Sequence, residues 1–368
     1  MHIPDGYLSP TTCAALYAAS GPFWYVSLQR VKKSLSTRLI PLLSLVAAFS
    51  FVLMMFNLPL PGGTTGHAVG IGLAAIALGP WAAMLAISVA LLIQALFFGD
   101  GGVLALGANC FNLAVVGSLV SYGVYRIVSG ASAITSPRRV VAAALAGYAA
   151  INVAALLAAI ELGVQPWLFT DANGAPLYAP YPLRIAVPAM MIGHLTFAGL
   201  AESIVTAGVL AWLQQGDPSL LKLTAPRAIE SGDEDEIARN KAARADWRAT
   251  RPLWIGLTAL ALLTPLGLLA TGVAWGEWGP HDFTDPEMRR QITAASGNQA
   301  PPPNLPHGLE RLSSIWTAPI PDYAPQFLHS AVFGYVMSAM FGVGAILMTF
   351  LVAGWLARLR RRKNQRYT

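Results

Sequence analysis

Long apolar runs separated by short polar segments constrain this chain more than any other feature of its sequence. Hydrophobic residues make up 55% of its 368 residues and charged residues only 11%. About 20 apolar residues suffice to cross a bilayer as a helix, and a helix satisfies its own main-chain polar groups there. We therefore predict an all-α polytopic membrane protein. Its nine expected spans lie near residues 11–29, 39–56, 67–79, 81–98, 103–125, 140–160, 183–213, 252–275 and 327–357.

The basic residues predict how these spans are oriented. Of the 24 lysines and arginines, 20 fall in four clusters, which lie at 30–38, 126–139, 222–251 and 358–366. Because such residues concentrate in short cytoplasmic loops, we expect the amino terminus and the loop 57–66 outside the cell and the carboxyl terminus inside. We expect the protein in the cell membrane of a bacterium or archaeon. The net charge of +6 then comes from these basic cytoplasmic flanks, and no nucleic-acid partner is indicated.

The amino terminus carries a possible metal chelate. The amine of Met1, the amide nitrogen of His2 and the His2 imidazole can close adjacent five- and six-membered rings around one ion, and nitrogen donors suit divalent nickel or copper. His67, which follows the glycine-rich loop on the same predicted face, would supply a fourth nitrogen. A frayed terminus is the alternative. No basic segment precedes the first apolar run, so we expect Met1 to be retained.

The chain divides into two membrane modules. Residues 1–213 form the first module, with seven spans, and residues 252–368 form the second, with two spans around an external loop at 276–326. The linker 214–251 is highly charged and is predicted to be cytoplasmic. The external loop either collects cations or packs over the first module, and we favour packing. Gly79-Pro80 leaves open whether residues 67–98 form two helices or one kinked helix.

Several motifs resemble one family of transport proteins. They are Met1-His-Ile-Pro-Asp-Gly-Tyr-Leu-Ser-Pro10, Asn57 to His67, Leu78-Gly-Pro-Trp81, Gln94-Ala-Leu-Phe-Phe-Gly-Asp-Gly-Gly102, Ala105-Leu-Gly-Ala-Asn109 and Phe111-Asn112. Over roughly residues 1–215 the chain thus resembles the CbiM/NikM substrate-binding subunits of energy-coupling-factor transporters for cobalt and nickel. The second module resembles the NikN-like, PDGLE-type partner, although the segment here reads Pro306-His-Gly-Leu-Glu310.

The resemblance implies a substrate-binding (S) component of an importer. The substrate would be Ni²⁺ or Co²⁺, held by Met1, His2 and His67. Energy would come from separate subunits, namely a transmembrane coupling (T) subunit and two ATPase subunits. The chain contains no Gly-Lys dipeptide, and therefore no phosphate-binding Walker loop and no expected bound nucleotide.

Other polar residues within the apolar runs have two interpretations each. Asn57, Asn109 and Asn112 either orient a ligating imidazole or cap broken helices. His194 and Glu202 lie on one helical face, where ionisable groups are costly and need a partner. That face either contacts the coupling subunit or release path, or forms a hydrogen-bond network within the bundle.

Two other functional classes would require sequence features that a metal-binding transport subunit does not. A secondary transporter would need an inverted repeat or a coupling-ion cluster at mid-membrane, and neither is evident in the sequence. A membrane metalloenzyme would need an open coordination position beside an acid or base, and neither is evident near Met1, His2 or His67. The sequence does not decide between nickel and cobalt, although flat four-nitrogen coordination favours nickel.

Overall fold

The computed structural model describes residues 2–34, 39–216, 221, 247–325 and 327–364. The protein is mostly helical, at 71%, and its described strands form one short antiparallel hairpin. This confirms the helical class. Met1 and most of the linker 214–251 lie outside the described residues, so the module boundaries stay predictions.

The first module begins with a non-helical segment, residues 2–9, and continues as helices around the hairpin. Its elements are α1 Pro10–Ser34, α2 Leu39–Met54, β1 Leu58–Leu60, β2 Thr64–Gly66, α3 Ile71–Leu78, α4 Pro80–Ile93, α5 Leu106–Asn109, α6 Gly117–Ser129, α7 Pro137–Gly163, α8 Gln165–Leu168, α9 Leu183–Gly193 and α10 Gly199–Gly216. Three π-helical segments continue or join these helices, at Gln94–Phe98, Cys110–Val116 and His194–Ala198.

The second module has two long helices joined by a structured loop. Its elements are α11 Trp247–Leu263, α12 Pro286–Ala295, α13 His307–Leu312 and α14 Ala331–Asn364. Helix α12 begins where the Asp285 side chain accepts hydrogen bonds from the main-chain N–H groups of Glu287 and Met288, a usual N-terminal cap.

Among the described residues, five helical segments are long and apolar enough to cross a membrane. They are Pro80–Phe98, Leu106–Ser129, Pro137–Leu168, Leu183–Gly216 and Ala331–Ala357. Two shorter apolar helices, Ile40–Met54 and Leu253–Leu269, correspond to further predicted spans. Membrane insertion is therefore supported, whereas the division into seven plus two spans stays a prediction.

The predicted third span, 67–79, is wrong in extent. Residues 67–70 are buried but not helical, and α3 has only eight residues, which is about 12 Å of helix. Gly79 separates α3 from α4 with φ 78° and ψ 161°, a conformation open mainly to glycine. Residues 67–98 therefore contain two helices rather than one kinked helix.

Helices α3, α7 and α10 approach closely beside the loop that carries His67. A Cβ on Gly72 would lie 2.4 Å from the Thr206 Oγ1 atom and 3.0 Å from the Gly147 Cα atom. Small residues permit such close helix contacts in membrane proteins. This packing places α10 in contact with the start of α3.

Candidate metal centre

The segment 2–9 is buried inside the protein. His2 is 2% exposed and Ile3 1%. The Ile3 N–H donates to Asn109 Oδ1 (2.8 Å), and the Asn109 amide donates back to the Ile3 carbonyl (3.1 Å). The Gly102 N–H also donates to that carbonyl. The alternative of a frayed terminus is therefore wrong for residues 2–9.

Asp5 fixes the same segment to the start of α5. Its carboxylate accepts main-chain hydrogen bonds from Val103, Leu104 and Ala105, at 3.0, 2.8 and 3.2 Å. A Cβ on Gly102 would lie only 2.0 Å from Asp5 Oδ1, so this approach requires glycine. Burial raises the pKa of Asp5, and the three hydrogen bonds oppose that shift.

The hairpin β1–β2 delivers His67 to His2. His67 follows β2 directly and is 6% exposed. The centroids of the two imidazole rings are 5.0 Å apart, with an angle of 30° between the ring planes. Burial lowers the pKa of His67 well below its usual range, and nearby His2 lowers it further. The imidazole is therefore neutral at physiological pH and has a lone pair for a metal.

His2 has one nitrogen engaged and one free. Its Nδ1 atom lies 2.5 Å from Asp100 Oδ1, whereas its Nε2 atom is buried without a hydrogen-bond partner. A chelate ring that includes the His2 amide nitrogen closes through Nδ1. Either Nε2 binds the ion while Asp100 keeps Nδ1, or Nδ1 exchanges Asp100 for the ion.

Asp100 is held in turn by two donors on its other oxygen. Tyr323 Oη donates to Asp100 Oδ2 at 2.5 Å, and Gln94 Nε2 donates to it at 3.1 Å. Burial by itself would raise the pKa of Asp100, but the adjacent His2 imidazole and the hydrogen bond from Tyr323 hold that pKa well below its usual range. The sequence pattern indicated no role for these three residues, although Gln94 and Asp100 lie within the motif 94–102.

The asparagines have separate roles. Asn109 contacts the main chain of Ile3, as described above, and Asn112 Nδ2 donates to Glu161 Oε2 at 2.8 Å. Neither of these hydrogen bonds reaches an imidazole. Asn57 lies between α2 and β1, half-buried, and its N–H donates to the Met55 carbonyl. Its expected role at the site stays a prediction.

Glu202 contacts the loop that carries His67. Its carboxylate, fully buried on α10, accepts hydrogen bonds from the N–H groups of Val69 (2.7 Å), Gly70 (2.8 Å) and Gly72 (3.1 Å). Glu202 therefore fixes the main chain two to five residues after His67. The contact is a hydrogen-bond network within the bundle, as in the second interpretation, and a contact of this helical face with the coupling subunit or release path stays a prediction.

His194 lies one π-helical segment before α10. Its Nδ1 atom bonds to the Met190 carbonyl at 2.8 Å, and its Nε2 atom is buried without a hydrogen-bond partner. The described part of the chain has no group of three or more His, Cys, Asp or Glu side chains placed to hold a metal. A metal at the His2–His67 pair would therefore need donors of another kind as well.

The external loop packs over the first module, which confirms the favoured interpretation. The Tyr7 hydroxyl donates to the Trp278 carbonyl at 2.8 Å. A Cβ on Gly308 would lie 2.5 Å from the Gly6 carbonyl oxygen, so the two backbones are in direct contact. The loop thus covers the segment that carries His2.

Comparison with known proteins identifies the family. Residues 2–220 match the CbiM family, described as the cobalt uptake substrate-specific transmembrane region, and residues 250–359 match the PDGLE domain. The chain belongs to the CbiM family. Relatives named CbiM are described as cobalt transport proteins, and the resemblance seen in the motifs is confirmed.

Two relatives match this CbiM-family chain over nearly its whole length. The fused nickel transport protein NikMN of Rhodobacter capsulatus is 56% identical over 98% of this chain and 99% of its own length. The probable fused nickel transport protein LarMN of Lactiplantibacillus plantarum is 41% identical, over 96% and 97%. A crystal structure described as a transition metal transporter is 50% identical, with a TM-score of 0.56, and covers 61% of this chain and 99% of its own.

Proposed function

We propose that this chain is the substrate-binding subunit of an ATP-driven, energy-coupling-factor importer for a divalent transition metal. The observation that supports it best is the buried pair His2 and His67, with ring centroids 5.0 Å apart. Two imidazoles at this separation suit one shared ion, since metal–nitrogen bonds are about 2 Å long. The His2 Nε2 atom, which is buried without a partner, supports binding through that atom, whereas a chelate with the His2 amide nitrogen would close through Nδ1 and displace Asp100 from it.

The remaining donors of the proposed site are main-chain nitrogens of residues 1 and 2. The hydrogen bonds of Ile3 to Asn109 place the neighbouring main chain beside both imidazoles. Nitrogen donors in a flat arrangement favour nickel over cobalt. The nickel transport proteins NikMN and LarMN, which match this chain from end to end, also favour nickel.

Energy for uptake is proposed to come from partners. Without a Gly-Lys dipeptide, the chain has no Walker loop of its own. A coupling subunit and two ATPase subunits would drive reorientation of the chain in the membrane. The site would face outside, as the distribution of basic residues indicates. A secondary transporter is the second candidate function.

Metal binding by variants of the purified chain tests the site. We expect His2→Ala and His67→Ala each to abolish stoichiometric nickel binding, because each removes one of two buried imidazoles. His329→Ala, which alters an exposed imidazole, is the matched control and should bind normally. Metal content after size-exclusion chromatography and calorimetric titration are the measurements. Normal binding by both His2→Ala and His67→Ala would refute the site.

Transport in proteoliposomes tests the energy source. The chain alone should bind nickel without hydrolysing ATP, and accumulation should require the coupling and ATPase subunits. Accumulation driven by an ion gradient without an ATPase would instead identify a secondary transporter.

A further inference from the structure

The second module reaches Asp100, beside the candidate metal centre, through the side chain of Tyr323. Tyr323 belongs to the external loop, 223 positions along the chain from Asp100, and its hydroxyl donates to Asp100 Oδ2 at 2.5 Å. Asp100 contacts His2 through its other oxygen. A continuous chain of hydrogen bonds therefore runs from the second module to one of the two imidazoles.

The Tyr323 ring is fixed from several sides. It stacks on Phe98, with a centroid distance of 4.6 Å and an interplanar angle of 22°, and meets Tyr335 edge-on. Its carbonyl accepts a hydrogen bond from Ser338 Oγ at 2.9 Å. The hydroxyl also accepts a hydrogen bond from Gln94 Nε2 at 2.9 Å. The hydroxyl position is thus determined by both modules.

The backbone at this point is unusual. Asp322 and Tyr323 have φ values of 53° and 58°, in the left-handed region that residues other than glycine seldom adopt. Such strained positions persist where the surrounding structure fixes them and are concentrated at functional sites. Simple covering of the first module would not need a strained tyrosine aimed at a half-buried carboxylate.

We propose that Tyr323 is a positioning residue for the metal centre, and that it works by holding the Asp100 carboxylate beside His2. This inference rests on the proposed function. A divalent cation between two imidazoles gains from a nearby negative charge, and the gain is large where water is excluded. A carboxylate that is free to rotate away from the ion stabilises it less. The assignment holds whichever His2 nitrogen binds the ion, because it depends on the position of the charge.

The Tyr323→Phe variant tests the assignment with little disturbance. Phenylalanine keeps the stacking on Phe98 and loses only the hydroxyl. We expect the nickel affinity to fall about ten- to a hundredfold, the usual effect of losing a group that orients a metal ligand. Tyr335→Phe is the matched control, because Tyr335 lies in the same aromatic cluster but donates to the Met55 carbonyl. Its affinity should change less than about twofold, and affinity is measured by calorimetric titration.

A double-mutant cycle separates positioning from packing of the modules. Asp100→Asn should weaken nickel binding more than Tyr323→Phe, and the double variant should bind no more weakly than Asp100→Asn alone, because Tyr323 acts through Asp100. Additive losses would overturn the assignment, since they would mean that Tyr323 acts independently of the carboxylate. Unchanged affinity in Tyr323→Phe would overturn it as well.

A second variant keeps the test valid if Tyr323→Phe folds poorly. Gln94→Met removes the other donor to Asp100 Oδ2 from within the first module and should lower nickel affinity in the same way. Normal binding by Gln94→Met would contradict the assignment. If the unaltered chain itself bound no nickel, the proposed function would fail. If it bound nickel normally and Tyr323→Phe did too, only this assignment would fail.

Discussion

His2 and His67 lie side by side but are held by different parts of the molecule. His2 contacts Asp100, which Tyr323 of the second module holds, and the segment around His2 also contacts Trp278 and Gly308. The main chain just after His67 is held within the first module by Glu202 on α10, while Thr65, just before His67, pairs with Ala274 of the second module. The geometry of the pair therefore depends on several supports, and a shift of any of them changes the distance between the imidazoles.

An extension ahead of Met1 should have the largest effect, and it acts on the His2 side alone. An uncleaved tag turns the terminal amine into an amide and so removes or displaces one proposed donor. We expect specific nickel binding to be lost and to return when proteolysis restores Met1 as the first residue. A tag after Thr368 is the control. Equal affinities of the extended and native forms, measured by titration, would exclude the amine as a ligand.

Removal of Glu202 should have the next largest effect, on the His67 side. Glu202→Ala leaves three buried main-chain N–H groups unpaired, at about 1–3 kcal/mol each, and frees the loop after His67. We expect a lower melting temperature and at least a tenfold loss of nickel affinity. Thr206→Ala is the matched control, because Thr206 lies one turn along the same buried face and its hydroxyl has no hydrogen-bond partner. If the Glu202→Ala variant bound nickel as tightly as the Thr206→Ala variant, Glu202 would not support His67.

Asn109→Ala tests the support of the main chain beside His2. The substitution removes two hydrogen bonds to Ile3, at about 1 kcal/mol each. If this free energy is lost from the metal-bound state, the nickel affinity falls roughly tenfold or more. Asn152→Ala is the control, because Asn152 is also buried but donates within its own helix, to the Tyr148 carbonyl. Titrations of both variants should differ clearly. Similar affinities would show that the Ile3 contacts are not needed.

Gly308→Ala should have the smallest effect and tests the second module. An added Cβ would lie 2.3 Å from the Tyr178 ring and 2.5 Å from the Gly6 carbonyl oxygen, so α13 must move away from the segment that carries His2. Overpacking costs free energy, and only part of that cost changes the geometry of the metal site. We therefore expect the nickel affinity to fall by a few-fold. Gly344→Ala, where a Cβ would meet nothing within 4 Å, is the control. No difference between the two variants would indicate that this contact is only a cover.

The sequence predicted the two imidazoles and the membrane setting, because both depend on local patterns. The glycine-rich approach to His67 and the long apolar runs can be read directly from neighbouring residues. The Asp100–Tyr323 contact could not be predicted, since it joins residues 223 positions apart and depends on how the external loop folds. Hydropathy also could not distinguish residues 67–70, which are buried and not helical, from part of a span.

The burial of residues 2–9 has a consequence for the order in which the protein can assemble. Their partners include Gln165, Ala179, Trp278 and Gly308, all of which leave the ribosome later. Contacts between distant parts of a chain form late, because loop closure must precede them. The segment with His2 therefore reaches its final place only after most of the chain has been synthesised. A chain that ends before Trp278 would lack the contacts that Trp278 and Gly308 make with this segment, and His2 would be covered less completely.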